Sequence, residues 1–208
     1  AGDLLHSFGT VPRTVRDTLD GIAAVAADRG ADLVVTPGNH DAMLDAVWDG
    51  PTLTHYRVGE TVVCHGHEVP ANASAARYVV GHDHPTIEIE GQRHPCFLVG
   101  DGAVPAAVAD AESTSADGAG SGTDGSGGEN DGSGGDATGG EAGAGGADLV
   151  MLPAFNRLLR GVAVNELTAR DLQSPLVRSV DALAPLVRDE RGDETLAFPP
   201  LGDMRHRL

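Results

Sequence analysis

Hydrophobic residues recur at helical spacing near the start of the chain and in short runs after it. Between residues 11 and 29 they recur at helical spacing, at Val15, Leu19, Ile22, Val25 and Ala26. That spacing, followed by Gly30, predicts an amphipathic helix that ends at a glycine. The apolar run at 33–36 precedes Pro37 and Gly38, which predicts a buried strand that leads into a loop.

Short apolar segments bounded by turn residues predict several strands further along the chain. The predicted strands are 53–58, 61–64, 78–80, 86–90, 96–99 and 149–152. A short helix is predicted at 41–48, and the last ten residues are expected to form a surface tail. No internal repeat is present. The length of 208 residues indicates one domain, or one domain with an appendage.

The composition changes abruptly at residues 111–147. This stretch contains 14 glycines and 7 acidic residues but no basic or aromatic residue. Such a composition is typical of a flexible, disordered segment. We therefore predict an acidic insertion at 111–147 within a core formed by residues 1–110 and 148–208. Its deletion is expected to leave activity nearly unchanged, because loop length has little effect on stability.

The charge balance is strongly acidic, with 31 acidic residues, 14 basic residues and a net charge of -17. Every basic residue is an arginine. An acidic, lysine-free surface is typical of halophilic proteins, because high salt screens the repulsion between like charges. A GC-rich genome would also remove lysine, but it would not explain the acidity. The 3 % aromatic content argues against a nucleic-acid module that stacks bases on aromatic rings.

Neither a membrane segment nor a disulfide framework is indicated. The chain contains no run of 18 apolar residues and only two cysteines, Cys64 and Cys96. We expect a cytoplasmic protein whose thiols are reduced and buried. A redox or thiolate metal site at Cys64 is a weaker hypothesis, because one cysteine does not make such a site.

Eight of the nine histidines lie within the first 94 residues, and five of these belong to short glycine-containing motifs that follow predicted strands. The motifs are Gly2-Asp3, Gly38-Asn39-His40-Asp41, His65-Gly66-His67 and Gly81-His82-Asp83-His84. Their carboxylate, amide and imidazole groups are expected at one edge of a sheet, where ligands bind in open α/β folds. This donor set suits two divalent metals that bind a phosphate between them.

The order of these motifs resembles that of the calcineurin-like metallophosphoesterase superfamily. The family's order is Asp-x-His, Gly-Asp, Gly-Asn-His-Asp/Glu, a strand-end His and Gly-His-x-His, and the last four are present here. The residues around Asp3, His82 and Leu152 resemble an archaeal, haloarchaeal-type branch of phosphoesterases related to SbcD and Icc. The resemblance implies an α/β fold, a layered α/β/β/α sandwich with the metals at the strand ends, here without the N-terminal strand.

The resemblance also implies a metal role for five residues. Asp3 would bridge two divalent metal ions, for which Mn²⁺ is the first choice and Fe, Zn and Mg stay open. Asn39, His65 and His82 would complete the second metal site. His84 would belong to the first metal site.

The implied catalytic residues are His40 and Asp41. His40 would contact the phosphate or protonate the leaving oxygen, and Asp41 would orient its imidazole. His6 and His67 are weaker candidates for contacts with the substrate. The implied reaction is hydrolysis of a phosphoester, most simply a phosphodiester, by hydroxide generated at the two metals. A nucleic acid or a nucleotide could be the substrate, and the oligomeric state is not indicated.

One family motif is missing, because no Asp-x-His occurs in the 208 residues. In the family this motif lies on the first strand and supplies two ligands to the first metal. We expect that the sequence is part of a longer enzyme, and that this chain alone would be poorly active. The alternative is a genuine short form that acts as a binding or scaffold protein on the same fold.

Overall fold

The computed structural model describes residues 2–5, 11, 13–109, 146–155, 161–165, 167–168, 170–189 and 192–205. The predicted insertion lies outside the described residues, apart from Gly146 and Ala147. His6, a candidate for contact with the substrate, also lies outside them. No described helix is long and apolar enough to cross a membrane.

Within the described residues the chain forms three α-helices, one 3-10 turn and nine strands. The helices are α1 (Arg13–Asp28), α2 (Ala106–Ala109) and α3 (Leu201–Arg205), and the 3-10 turn is Leu44–Ala46. The strands are β1 (His55–Val58), β2 (Thr61–Cys64), β3 (Arg77–Val80), β4 (Pro85–Ile89), β5 (Gln92–Val104), β6 (Ala147–Met151), β7 (Val162–Ala163), β8 (Ala184–Asp189) and β9 (Glu194–Ala197). The predicted α/β class is confirmed.

The strands form a mixed sheet in the order β1-β2-β3-β6-β5-β4-β7, and β8 joins it by pairing with β5 and β9. β2, β3 and β6 run parallel to one another, with Val63 beside Val79 and Val80 beside Met151. Parallel neighbours end at the same edge of a sheet. The residues that follow β2 and β3, which begin at His65 and Gly81, are therefore brought together.

Two hydrophobic clusters flank that edge. The larger cluster joins β2, β3, β5 and β6 to the segment 164–183, and it includes Cys64 and Val80, which lie at the ends of β2 and β3. The smaller cluster packs α1 against the loops before and after it, through Leu5, Leu19, Val35, Leu44, Val47 and Trp48. Both clusters adjoin the predicted metal-binding motifs in sequence, so both fix the loops that contain them.

Three predicted elements differ from the structure. The predicted strand at 33–36 makes a single bridge, between Val35 and Thr52, and of its apolar residues only Val35 is buried. The predicted helix at 41–48 is reduced to the 3-10 turn at Leu44–Ala46. The predicted surface tail is wrong, because α3 lies there and its Leu201 is only 1 % exposed.

Gly21 offers a test of the α1 helix. A Cβ added there meets no atom within 4 Å, so Gly21→Ala should raise the free energy of unfolding by about 0.5–1 kcal/mol. Urea denaturation of the metal-free protein measures this change. Gly30, which follows the helix at φ +66°, is the matched control, because alanine is strained in that conformation and should destabilise the fold. Equal effects of the two substitutions would contradict the assignment.

Candidate metal centre

Asp3 is held in place by the loop that contains Asn39 and His40. The residue has a positive φ of 53°, and the amide of Gly2 before it donates to the carbonyl of Thr36 at 2.7 Å. Oδ1 of Asp3 accepts a hydrogen bond from the backbone N–H of His40 at 3.1 Å. The Asp3 side chain is only 3 % exposed. Its carboxylate is therefore fixed in a buried position, which leaves Oδ2 for another partner.

Two glycines of the motifs are required by close packing in the site. A Cβ added at Gly38 would collide with the carboxylate of Asp3, and one added at Gly2 would collide with the ring of His65. Both motifs therefore contain glycine because the backbone lies directly against a neighbouring polar side chain.

Three donor atoms surround Nε2 of His65. Asp3 Oδ2 lies 3.4 Å from this nitrogen, Asn39 Oδ1 lies 3.3 Å from it, and His82 Nδ1 lies 3.0 Å from it. The ligand atoms of Asp3, His65 and His82 all lie within 4.8 Å of one another. The predicted second-site ligands Asp3, Asn39, His65 and His82 are thus brought together.

The spacing of these atoms fits a metal ion better than hydrogen bonding alone. Nε2 of His65 has at most one proton, which can satisfy only one of its three neighbours. A divalent cation bound at about 2.1 Å by nitrogen and oxygen ligands would hold neighbouring donors roughly 3.0–3.4 Å apart. The distances around Nε2 fall in that range, so the residues fit a metal.

The electrostatics of the cluster favour neutral imidazoles, the form that binds metals. The pKa of His65 is lowered to about 4, chiefly by burial; Asp3 acts in the opposite direction, and the neighbouring histidines His82, His67 and His84 add to the lowering. Burial also lowers the pKa of His82, against the raising effects of Asp83 and Asp3. Near neutral pH both rings are therefore unprotonated before any metal binds.

The low pKa of His65 predicts an acid-sensitive fold. The pKa falls from the ordinary 6.5 to about 4 on folding, so the unfolded chain binds more protons between these values. The contribution to stability is fully present above about pH 6.5 and is lost as the pH falls toward 4, by up to about 3 kcal/mol. Urea denaturation with a chelator present measures this slope. His65→Asn should flatten it and the control His94→Gln should not, so an equal slope in both would contradict the prediction.

Three more of the predicted histidines lie near this cluster. The His67 ring centroid is 5.2 Å from that of His65, and the charge of His40 contributes to the lowered pKa of His82. His84 influences the pKa of His65 in the same way. Among the described residues, His84 is not part of the group whose ligand atoms lie within 4.8 Å of one another. Its assignment to a first metal site stays a prediction.

Asp41 joins the two loops that form the site. It is 6 % exposed, and its two oxygens accept the backbone N–H groups of Leu5 and Gly38, each at 2.8 Å. These bonds use the carboxylate to hold the Asp3 segment against the Asn39 loop. The predicted orientation of the His40 imidazole by Asp41 stays a prediction.

The chain was compared with known proteins. No family model matches it, and no curated protein matches it at a significant level. Among solved structures, the crystal structure of the Pseudomonas putida nuclease MPE is similar, with a TM-score of 0.43 and 17 % sequence identity. The similarity covers 89 % of this chain and 64 % of the nuclease, so the chain spans less than two thirds of that protein. The function proposed below rests on the donor geometry and the sequence motifs of this chain.

A cleft of about 320 Å³ opens beside the candidate metal centre. Its lining includes Thr52, Thr54, His65, His67 and Glu68. Cys64 also lines it, but burial and the nearby Glu68 raise the pKa of the Cys64 thiol to about 12. The thiol therefore stays protonated, which argues against the thiolate hypothesis for this residue.

Asp83 is the residue of the site that sequence reasoning missed. It lies in the Gly81-His82-Asp83-His84 motif, but the sequence alone assigns it no role. The structure buries it to 4 % exposure, and its carboxylate accepts the backbone N–H groups of Gln173 at 2.7 Å and Ser174 at 3.1 Å. The available signal is a carboxylate between two histidines that are themselves predicted to be metal ligands.

Proposed function

We propose that this chain is a metal-dependent phosphoester hydrolase whose metal is held by Asp3, Asn39, His65 and His82. The observation that supports this proposal is the convergence of three donor atoms on Nε2 of His65 at 3.0–3.4 Å. Two oxygen and two nitrogen donors form a mixed set that suits borderline and hard divalent cations. Mn²⁺ is the proposed ion, and Fe²⁺, Zn²⁺ and Mg²⁺ are the competitors.

A second ion is proposed next to the first, with Asp3 as the shared ligand and His84 as a further ligand. Oδ1 of Asp3 accepts the backbone N–H of His40, so Oδ2, which faces His65, would be the oxygen shared by both ions. The order of the four motifs, which resembles that of calcineurin-like metallophosphoesterases, supports this arrangement. Pairs of metals of this kind bind opposite sides of one phosphate.

The chain's own residues would bind the substrate and move protons. When bound, divalent cations polarise the phosphoryl group and lower the pKa of water toward neutrality. His40, whose backbone N–H donates to Asp3, is the residue proposed to protonate the leaving oxygen through its imidazole. The neutral rings of His65 and His82 keep their lone pairs for the metal. The adjacent cleft, with the Thr52 and Thr54 hydroxyls, can receive the ester group.

The cleft favours a phosphodiester over a phosphomonoester. Among the described residues that line it, none is an arginine, and Glu68 places a negative charge there. A monoester carries two negative charges near neutral pH, whereas a diester carries one and presents a second organic group to the cleft. We therefore propose phosphodiesters as the substrate class, with nucleotides and nucleic acids as the compounds to test.

The proposal is tested by metal titration and an activity assay on the same protein. The protein is stripped with a chelator and titrated calorimetrically with Mn²⁺, Zn²⁺, Fe²⁺ or Mg²⁺, in both low and high KCl because of the net charge of -17. Hydrolysis of bis(p-nitrophenyl) phosphate is then compared with that of p-nitrophenyl phosphate. We expect saturable Mn²⁺ binding and faster hydrolysis of the diester. The proposal would be overturned if none of the four metals shows saturable binding.

A further inference from the structure

Asp83 links the loop of two candidate ligands to a distant part of the chain. It lies between His82 and His84, and its two oxygens accept the N–H groups of Gln173 and Ser174, which lie 90 and 91 residues away. One carboxylate thus connects the loop after β3 to the segment before β8.

The backbone that Asp83 binds is itself firmly held. Ser174 is 3 % exposed, and the neighbouring Leu172 and Leu176 are 8 % and 0 % exposed within the larger hydrophobic cluster. Packed neighbours on both sides keep the two N–H groups in place. The position of the core segment is therefore transmitted through Asp83 to the histidines on either side of it.

The chemistry of the contact requires a carboxylate. Two adjacent N–H donors need two acceptor oxygens, and a buried carboxylate needs such donors to offset its loss of hydration. Asparagine supplies only one acceptor oxygen, and its NH₂ group would face the other N–H. An Asp83→Asn variant therefore keeps the volume of the side chain but loses half of the contact.

We propose that Asp83 is a positioning residue of the metal centre. It fixes the loop so that Nδ1 of His82 lies 3.0 Å from Nε2 of His65, within reach of one cation. Metal sites need ligand positions accurate to about 0.5 Å, so even a small shift of this loop should weaken binding. The metal-binding part of this inference rests on the proposed function.

The test compares Asp83→Asn with a matched control in the same segment. Asp171 also accepts two hydrogen bonds, from the amide of Thr168 at 2.8 Å and its hydroxyl at 2.6 Å, but it is exposed and contacts no candidate ligand in these bonds. Calorimetry with Mn²⁺ should show about 10- to 100-fold weaker binding for Asp83→Asn and unchanged binding for Asp171→Asn. A folded Asp83→Asn variant with unchanged Mn²⁺ affinity would overturn the proposal, even if its melting temperature falls.

A metal-free measurement separates this inference from the proposed function. The rings of His65 and His82 lie 4.8 Å apart between centroids, which should give nuclear Overhauser effects between their protons. Asp83→Asn should weaken these signals, and Asp171→Asn should leave them unchanged. If the unmodified protein binds no Mn²⁺, the proposed function fails, while the ring signals still decide whether Asp83 positions His82. If Asp83→Asn does not fold, Asp83→Glu keeps both oxygens but should displace the loop, so unchanged ring signals would refute the proposal.

Discussion

His65→Ala is expected to raise the dissociation constant for Mn²⁺ by more than about 100-fold. Loss of a partner that only orients a ligand already weakens metal binding about 10- to 100-fold, and the loss of a ligand should exceed that. Among the four candidate ligands, His65 should have the largest effect, because its Nε2 lies at the centre of the cluster. Donor atoms of Asp3, Asn39 and His82 all lie 3.0–3.4 Å from it. Calorimetric titration of the chelator-treated protein measures the change.

The control for this experiment must separate loss of the ligand from loss of the fold. His65 is 1 % exposed, so its truncation also leaves a cavity, which destabilises a core. His65→Leu fills most of that space without a metal-binding atom and should show the same loss of affinity. His94→Ala removes a histidine from β5 and should leave affinity unchanged. A native dissociation constant in His65→Leu would exclude this residue as a ligand.

The sequence alone was sufficient to locate the donors of the candidate centre. Asp3, Asn39, His65 and His82 each lie within a short motif next to a glycine, and the close packing at Gly2 and Gly38 explains why glycine is there. β2 and β3 were also predictable, since their short apolar runs end directly before His65 and Gly81. Information of this kind is local, because it depends on the order of residues within a few positions.

The role of Asp83 could not be predicted in the same way. Its partners are the backbone N–H groups of Gln173 and Ser174, and a residue offers the same backbone N–H whatever its side chain is, proline excepted. No residue type at 173 or 174 therefore signals the contact. The same holds for Asp41, because its two carboxylate oxygens accept the backbone N–H groups of Leu5 and Gly38. In both places a motif residue has a structural partner that only the folded chain reveals.

β5 shows a second limit of local reasoning. The pattern predicted a strand at 96–99, but the strand extends over Gln92–Val104 because different parts of it pair with β4, β6 and β8. Gly100 and Gly102 resemble turn residues in the sequence. In the structure they lie at an irregularity of the pairing with β6, where Gly102 adopts φ +60°. Pairing partners distant in sequence thus decide where a strand ends.

His40→Ala is expected to reduce the rate of phosphodiester hydrolysis by about 10²- to 10⁴-fold while Mn²⁺ affinity stays within about twofold. The substitution is selective because Asp3 is held by the backbone N–H of His40, which alanine retains. Removal of the imidazole should therefore take away the proton donor without moving the carboxylate. The turnover of bis(p-nitrophenyl) phosphate at saturating Mn²⁺, with calorimetry on the same sample, measures both quantities.

The choice of leaving group tests whether His40 donates a proton, which the enzyme needs and the alternative scaffold does not. A proton donor matters most for a poor leaving group, so His40→Ala should impair an alkyl diester more than the nitrophenyl diester. Asp41→Asn provides the contrast, since it weakens the bonds to Leu5 and Gly38 and should reduce Mn²⁺ affinity as well as turnover. Unchanged rates on both diesters in His40→Ala would remove the catalytic role of this histidine, and absence of turnover in the unsubstituted, Mn²⁺-loaded protein would favour a scaffold.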